Sequence, residues 1–279
     1  MSATIMNGKY ILAFAVALLA SGFSAQAPAA EGPRTAKDIS YSFEGPLGKF
    51  SRGQLQRGYK VYKEVCANCH AMRLMYFRNL AEPGGPEFSE EQVKSLAATF
   101  QVQDGPDASG EMFTRPALPS DRFPSPFANE QAARAANGGA LPTDLSLITK
   151  ARAGYNTFKQ LFGGSGGPEY VYSILTGYEP EPSELAAEKP EGRFYNPYFA
   201  AGHWIGMPPP LSDSQVTFDD GADNTVQAMS RDVSAFLAWA AEPKMEERKR
   251  IGLQVFIYLI VLSVLVYICK ERIWSRVDH

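Results

Sequence analysis

Three cysteines and three histidines in 279 residues leave little material for a disulfide framework or for a metal cluster built on those side chains. The formal net charge is −3, so the chain carries no overall positive excess to draw it to a polyanion, and no nucleic-acid partner is expected. No internal repeat is present, and no convincing series of alternating strands. The run Gly163-Gly164-Ser165-Gly166-Gly167-Pro168 lacks the Lys-Ser/Thr ending and the preceding apolar strand of a nucleotide loop. It reads instead as a turn before a helix over Glu169 to Thr176.

What little cysteine and histidine there is stands together. Cys66-Ala67-Asn68-Cys69-His70 is a C-x-x-C-H sequence, the pattern of a haem held by two thioether bonds and ligated by the adjoining imidazole. Each thiol adds to one vinyl group of the porphyrin, and the histidine that follows is thereby brought under the iron. Cys66 and Cys69 are read as the anchors of one covalently bound haem c, with His70 as proximal ligand. Half a zinc site would need a second ligand pair, and a thioredoxin-like dithiol would need a βαβ surround; the chain offers neither. Cys269 lies far away in an apolar run and reads as a small apolar residue.

Haem is attached in this way outside the cytoplasm, and the ends of the chain agree. Lys9, the apolar run Tyr10 to Ala20 and the small residues through Ala27 form an export signal, assigned to residues 1–29. Ile251 to Cys269 is free of formal charge and would measure about 28 Å as a helix, enough for one membrane crossing. Lys and Arg flank it on both sides, so the export signal and the haem motif decide orientation. A haem domain over residues 30–245 is expected on the periplasmic side of the inner membrane, with a single span at 251–269 and a cytoplasmic tail at 270–279.

Within the domain, Ser51 is a plausible N-cap for a helix whose apolar face is Leu55, Tyr59, Tyr62 and Cys66. Further helices are expected from about Glu91 to Phe100, from Asn129 to Asn137 with Gly138 as its cap, and from Thr225 to Pro243. Asp104 to Phe127, broken by prolines and glycines, reads as an ordered loop packed on the haem. The fold class is mainly α: a cytochrome c-like haem domain with long irregular loops and one C-terminal transmembrane helix.

An electron-transfer haem takes a second axial ligand, and methionine opposite histidine raises its potential. Met72 and Met75 are too near His70 in sequence, Met229 belongs to an apolar helix face, and Met245 approaches the membrane. Met112 and Met207 remain, with Met207 preferred because Pro208-Pro209-Pro210 stiffens an extended backbone there. His203 is the rival.

The segments RGYKVY through His70, QDGPDASGEMFTRP, AARAANGGALPTDLSLITKARAG, GPEYVYSILTGY, FYNPYFAAGHWIGMPPPL and DVSAFLAWAAEPKMEERKRIGL stand in one order. In these the chain resembles the cytochrome c1 family, the haem subunits of the cytochrome bc1 complex, over nearly all of its mature length. The resemblance implies that Met207, in the M-P/A-P-P motif, is the distal ligand; that Arg152 and Tyr170 sit by the haem propionates; and that Pro142 and Asn137 line the pocket. Some bacterial members carry an extra cysteine pair before the distal methionine, which this chain lacks. By the same resemblance the partners are cytochrome b and the Rieske iron–sulfur protein in a dimeric complex. The chain would pass electrons from the Rieske protein to cytochrome c, acting as a subunit of quinol:cytochrome c reductase without a substrate-converting centre of its own. The acidic residues Glu179, Glu181, Glu184, Glu188 and Glu191, with Asp219, Asp220 and Asp223, could attract a basic cytochrome c or simply be solvated. Rival readings are a membrane-anchored cytochrome c shuttle, which a long flexible tether would favour, and the haem subunit of another periplasmic dehydrogenase or oxidase.

Overall fold

A computed structural model describes residues 33–154 and 166–275. The assigned signal segment therefore lies wholly outside the described residues, as do Gly163, Gly164 and Ser165 of the glycine run.

Two helices form the centre. α1 spans Arg52–Glu64 and buries Leu55, Tyr59, Val61 and Tyr62, the face that the three- and four-residue spacing predicts. Ser51 occupies its N-cap position in extended conformation, but its side chain makes no capping hydrogen bond. Across α1 lies a long helix, Val226–Ala241 (α6 in chain order), capped by Thr225, whose side chain accepts from the Ala228 N–H at 3.3 Å. Tyr59 and Tyr62 meet Phe236 at ring-centroid distances of 5.6 and 5.9 Å, and Phe123 closes on both tyrosines at 6.0 Å. Gly58 is where the two backbones come closest: a Cβ built on it would lie 2.1 Å from the Asp232 carbonyl oxygen.

The crossing also buries a charge. The Asp232 carboxylate, 7% exposed, accepts from Arg57 Nε at 2.6 Å and from Gln54 Nε2 at 3.1 Å. Burial raises its pKa despite Arg57 and Gln54, which act in the opposite direction. A carboxyl whose folded-state pKa exceeds its unfolded value penalises folding above the folded pKa, and that penalty fades on acidification towards the unfolded value. Arg57→Ala removes the main opposing interaction and leaves a buried carboxylate with only Gln54. It is expected to cost about 3 kcal/mol at neutral pH, and chemical denaturation should show a smaller loss at pH 5 than at pH 8. An equal loss at both pH values would mean that Arg57 acts by packing alone.

The remaining described helices are α2, Glu90–Ala97, opened by a Ser89–Gln92 capping box; α3, Glu130–Ala136, capped by Asn129; the short α4, Ile148–Ala151; and α5, Gly167–Leu175, with Pro168 in its first turn. α2 stops at Ala97, short of the expected Phe100, where the Phe100 N–H turns back to the Ala97 carbonyl. α3 agrees with the reading, and Gly138 after it takes φ +56°, the left-handed conformation of a helix stop. One-turn 3₁₀ segments follow α1 at Cys66–Asn68 and continue at Phe77–Ala81.

Strands are few and short among the described residues. β1, Gln101–Asp104, pairs antiparallel with β2, Phe113–Pro116, and β3, Phe194–Tyr195, with β4, Trp204–Ile205. The first pair corrects the expectation that the ordered loop from Asp104 to Phe127 holds no regular structure. Arg115 secures it from β2, clasped between Asp104 and Asp121, with Nη1 2.6 Å from the latter. Ala117 and Phe123, further along the same stretch, enter the core.

α7 runs Met245–Trp274, 30 residues and roughly 45 Å long, and extends beyond both ends of the uncharged run. None of its apolar window is buried, and it is long and apolar enough to cross a membrane. The charged residues 245–250 that precede the uncharged run are therefore part of the helix. Its first turns are fastened to the domain: Glu246 Oε1 accepts from the Phe50 N–H at 2.8 Å and from Arg52 Nη1 at 3.3 Å, Lys249 Nζ donates to the Phe43 and Gly48 carbonyls at 2.6 and 3.2 Å, and Met245 is buried.

Candidate haem site

The C-x-x-C-H pentapeptide occupies the turn that ends α1. Cys69 and His70 N–H both reach back to the Cys66 carbonyl, at 3.1 and 2.8 Å, which brings the two thiols and the imidazole into one turn. Cys66 is partly buried against the core and Cys69 exposed. Burial raises the pKa of the Cys66 thiol. Tyr62, on the last buried turn of α1, donates its hydroxyl to the His70 carbonyl at 3.3 Å.

The imidazole has a fixed tautomer. His70 Nδ1 lies 2.7 Å from the Thr143 carbonyl oxygen, which can only accept, so Nδ1 carries the proton and Nε2 keeps its lone pair. Desolvation lowers the His70 pKa, favouring the neutral ring that a metal needs. A histidine oriented by a backbone carbonyl with its other nitrogen free is the arrangement metal-ligating histidines adopt. The donor set fits a covalently held haem.

Thr143 follows Pro142, so the hydrogen bond draws this loop to the His70 turn. The same loop reaches the distal candidate: a Cβ on Gly206 would lie 2.9 Å from Ala140 Cβ and 2.4 Å from an Arg193 guanidinium nitrogen. Asn137, the C-cap of α3, begins this loop and donates its side-chain amide to the Ala133 carbonyl at 2.7 Å. Residues 137–143 therefore touch both the His70 turn and the segment carrying Met207. Met207 is partly buried, and its carbonyl accepts from the Tyr178 hydroxyl at 3.0 Å; burial raises the Tyr178 pKa and keeps it a donor.

Arg152 and Tyr170 also meet, the guanidinium lying 5.5 Å from the ring centroid. The Ala200 N–H points at the Tyr170 hydroxyl at 3.4 Å, linking this pair to the chain before Met207. The two rival ligands are placed differently. Met112 is 58% exposed, just before β2. His203 sits between β3 and β4 at φ +66°, its ring 5.9 Å from that of Tyr195.

A family model described as the Cytochrome C1 family matches residues 41–277. The chain belongs to that family. Cytochrome c1 of Cereibacter sphaeroides is 45% identical over 98% of this chain and 97% of its own length, and that of Rhodospirillum rubrum 43% identical over 97% and 98%. A protein named cytochrome b/c1 from Bradyrhizobium diazoefficiens is 52% identical over 96% of this chain, which spans only 40% of that relative. Cytochrome c1 proteins are haem c proteins with a single covalently bound haem, and the site described here is built for one.

Three contributors escaped the sequence reading. Thr143 acts through its backbone carbonyl, which no residue type announces. Tyr178 lay in a segment noted only for resemblance. Arg193 stood beside an acidic stretch, and its approach to Gly206 is visible only in three dimensions. A fourth feature is the N-terminal strap: the Arg34 N–H donates to the Pro197 carbonyl at 2.8 Å, and Lys37 Nζ donates to Thr176 while lying over the rings of Tyr172 and Tyr198. The strap ties α5 to the chain before β4.

Proposed function

We propose that the chain is the electron-transfer subunit of a membrane quinol:cytochrome c oxidoreductase, with its haem domain in the periplasm and cytochrome b and a Rieske protein as neighbours in a dimeric complex. The observation that carries the reading is the meeting of the His70 turn and the Met207 segment on the single loop 137–143, in a chain of this family. A haem c bound there supplies a one-electron iron couple. Cys66 and Cys69 would anchor it, the Thr143 carbonyl would hold His70 with Nε2 presented, Tyr178 would steady the backbone of Met207, and Arg152 with Tyr170 would face the propionates. With both His70 and Met207 holding the iron, no position would be open to a substrate, which would suit outer-sphere electron transfer.

The junction with α7 speaks against a free shuttle. A shuttle needs a tether that lets the haem travel; here the span helix begins within the domain's own hydrogen-bond network at Glu246 and Lys249. The acidic surface is partly neutralised from within: Arg34 pairs with Glu179 at 2.8 Å, Lys189 with Glu181 at 3.0 Å, and Arg57 with Asp220 at 2.8 Å. Glu184, Glu188 and Glu191 are left for a basic acceptor.

The protein extracted from membranes in mild detergent should give b-type haem bands beside its c-type band in a reduced-minus-oxidised spectrum. A c-type band alone, unchanged under gentler extraction, would favour the lone anchored cytochrome.

A further inference from the structure

Where the haem domain meets α7 there is a cleft of about 560 Å³ that electron transfer does not use. It lies between the loop 44–49 and the first turns of the span helix. The loop is preformed: a Cβ on Gly48 would fall 1.9 Å from the Glu44 carbonyl oxygen, and Lys249 bonds the carbonyls at both ends of it.

Five cations and three carboxylates line the cleft. Arg52 is occupied by Glu87 at 2.8 Å and Glu246 at 3.3 Å, and Lys244 by Glu82 at 3.6 Å. Lys49 and Arg250 have no ion-pair partner among the described residues; Lys249 donates to the two carbonyls and feels Glu242, Glu246 and Glu44 only beyond ion-pair distance, and Glu247 is the one lining carboxylate left to offset the three. The surplus positive charge therefore gathers on Lys49, Lys249 and Arg250. Beside them the lining turns apolar. Leu47 is 72% exposed at the tip of the loop, and Leu253 stands at the start of the uncharged part of α7.

Cations at the level where a membrane helix begins, with exposed leucines on the bilayer side, match a molecule with an anionic head and an apolar tail. We propose that this cleft binds the phosphate of an anionic phospholipid from the leaflet on the haem-domain side, held by Lys49, Lys249 and Arg250 with Leu47 and Leu253 against its acyl chain. Backbone carbonyls orient Lys249 in advance, so binding does not have to order that side chain. The bound lipid would sit between the loop and α7.

The proposal rests on α7 being a membrane span, and the test separates the two. The haem-loaded protein, purified from membranes and partly delipidated, is given phosphatidylglycerol or phosphatidylcholine and read by native mass spectrometry. The double variant K49Q/R250Q is compared with the parent, and K49Q alone serves if the double variant is not recovered with its c-type spectrum. Phosphatidylglycerol retention should fall about tenfold in the double variant, and measurably in K49Q. Phosphatidylcholine retention should be equal in all, and inorganic phosphate in tenfold excess should displace nothing. Unchanged phosphatidylglycerol retention in the variants overturns the proposal. Displacement by free phosphate overturns it in favour of a simple anion site, and loss of b-type haem with lipid retention unchanged overturns it in favour of a protein contact. Alkaline extraction reports on the span separately: both proteins should stay in the membrane, and release of the parent would refute the span reading itself.

Discussion

Replacing Met207 with leucine is expected to lower the haem potential by on the order of 0.1–0.3 V, part of the ~0.8 V range over which axial ligands set haem potentials, and to open the iron to carbon monoxide. Leucine keeps the volume and removes the thioether, so the backbone that Tyr178 holds and that Pro208 to Pro210 stiffen should stay in place. A redox titration and a carbon monoxide difference spectrum of the ferrous protein measure the two effects. An unaltered potential with no carbon monoxide adduct would hand the distal role to His203 or Met112. The structure already makes Met112 the harder alternative, since it is more than half exposed at the hairpin.

Gly58→Ala is expected to cost about 3 kcal/mol, at the upper end of the usual overpacking penalty. The added methyl would meet the backbone oxygen of Asp232 at 2.1 Å, and neither helix backbone can yield as a flexible side chain would. The crossing must open, loosening Tyr59 and Tyr62 from Phe236 and drawing Arg57 from Asp232. In a domain of this size that corresponds to a melting temperature lower by about 6–12 °C. The attachment turn sits at the end of α1, so haem incorporation should fall in the same variant. Thermal unfolding of the haem-loaded protein measures the first effect and the ratio of c-type absorbance to protein the second. A change below about 0.5 kcal/mol, the range of ordinary surface substitutions, would mean that the helices slide apart at little cost.

What could be read from sequence is what depends on neighbours in the chain. Leu55, Tyr59 and Tyr62 mark α1 because their spacing alone determines a face, and Thr225 and Asn129 mark helix starts because capping is decided within three residues. Cys66, Cys69 and His70 are local in the same sense. The β1–β2 pair was missed because its strands are short and largely exposed, and because prolines lie in and around it; the Arg115 clasp that holds it depends on Asp121 beyond the hairpin. Resemblance, and not spacing, supplied Arg152 and Tyr170, which come together from either side of residues 155–165. The carbonyl on His70 comes from a residue 73 positions away and carries no side-chain signature. Long-range backbone contacts of that kind are invisible until the fold assembles them.

The fastening of α7 at Glu246 and Lys249 also assigns motion. A haem held in a domain fastened in this way would act as a stator, its height above the bilayer set by the helix that roots the domain. Any partner that loads it from one side and unloads it on the other must do the travelling itself.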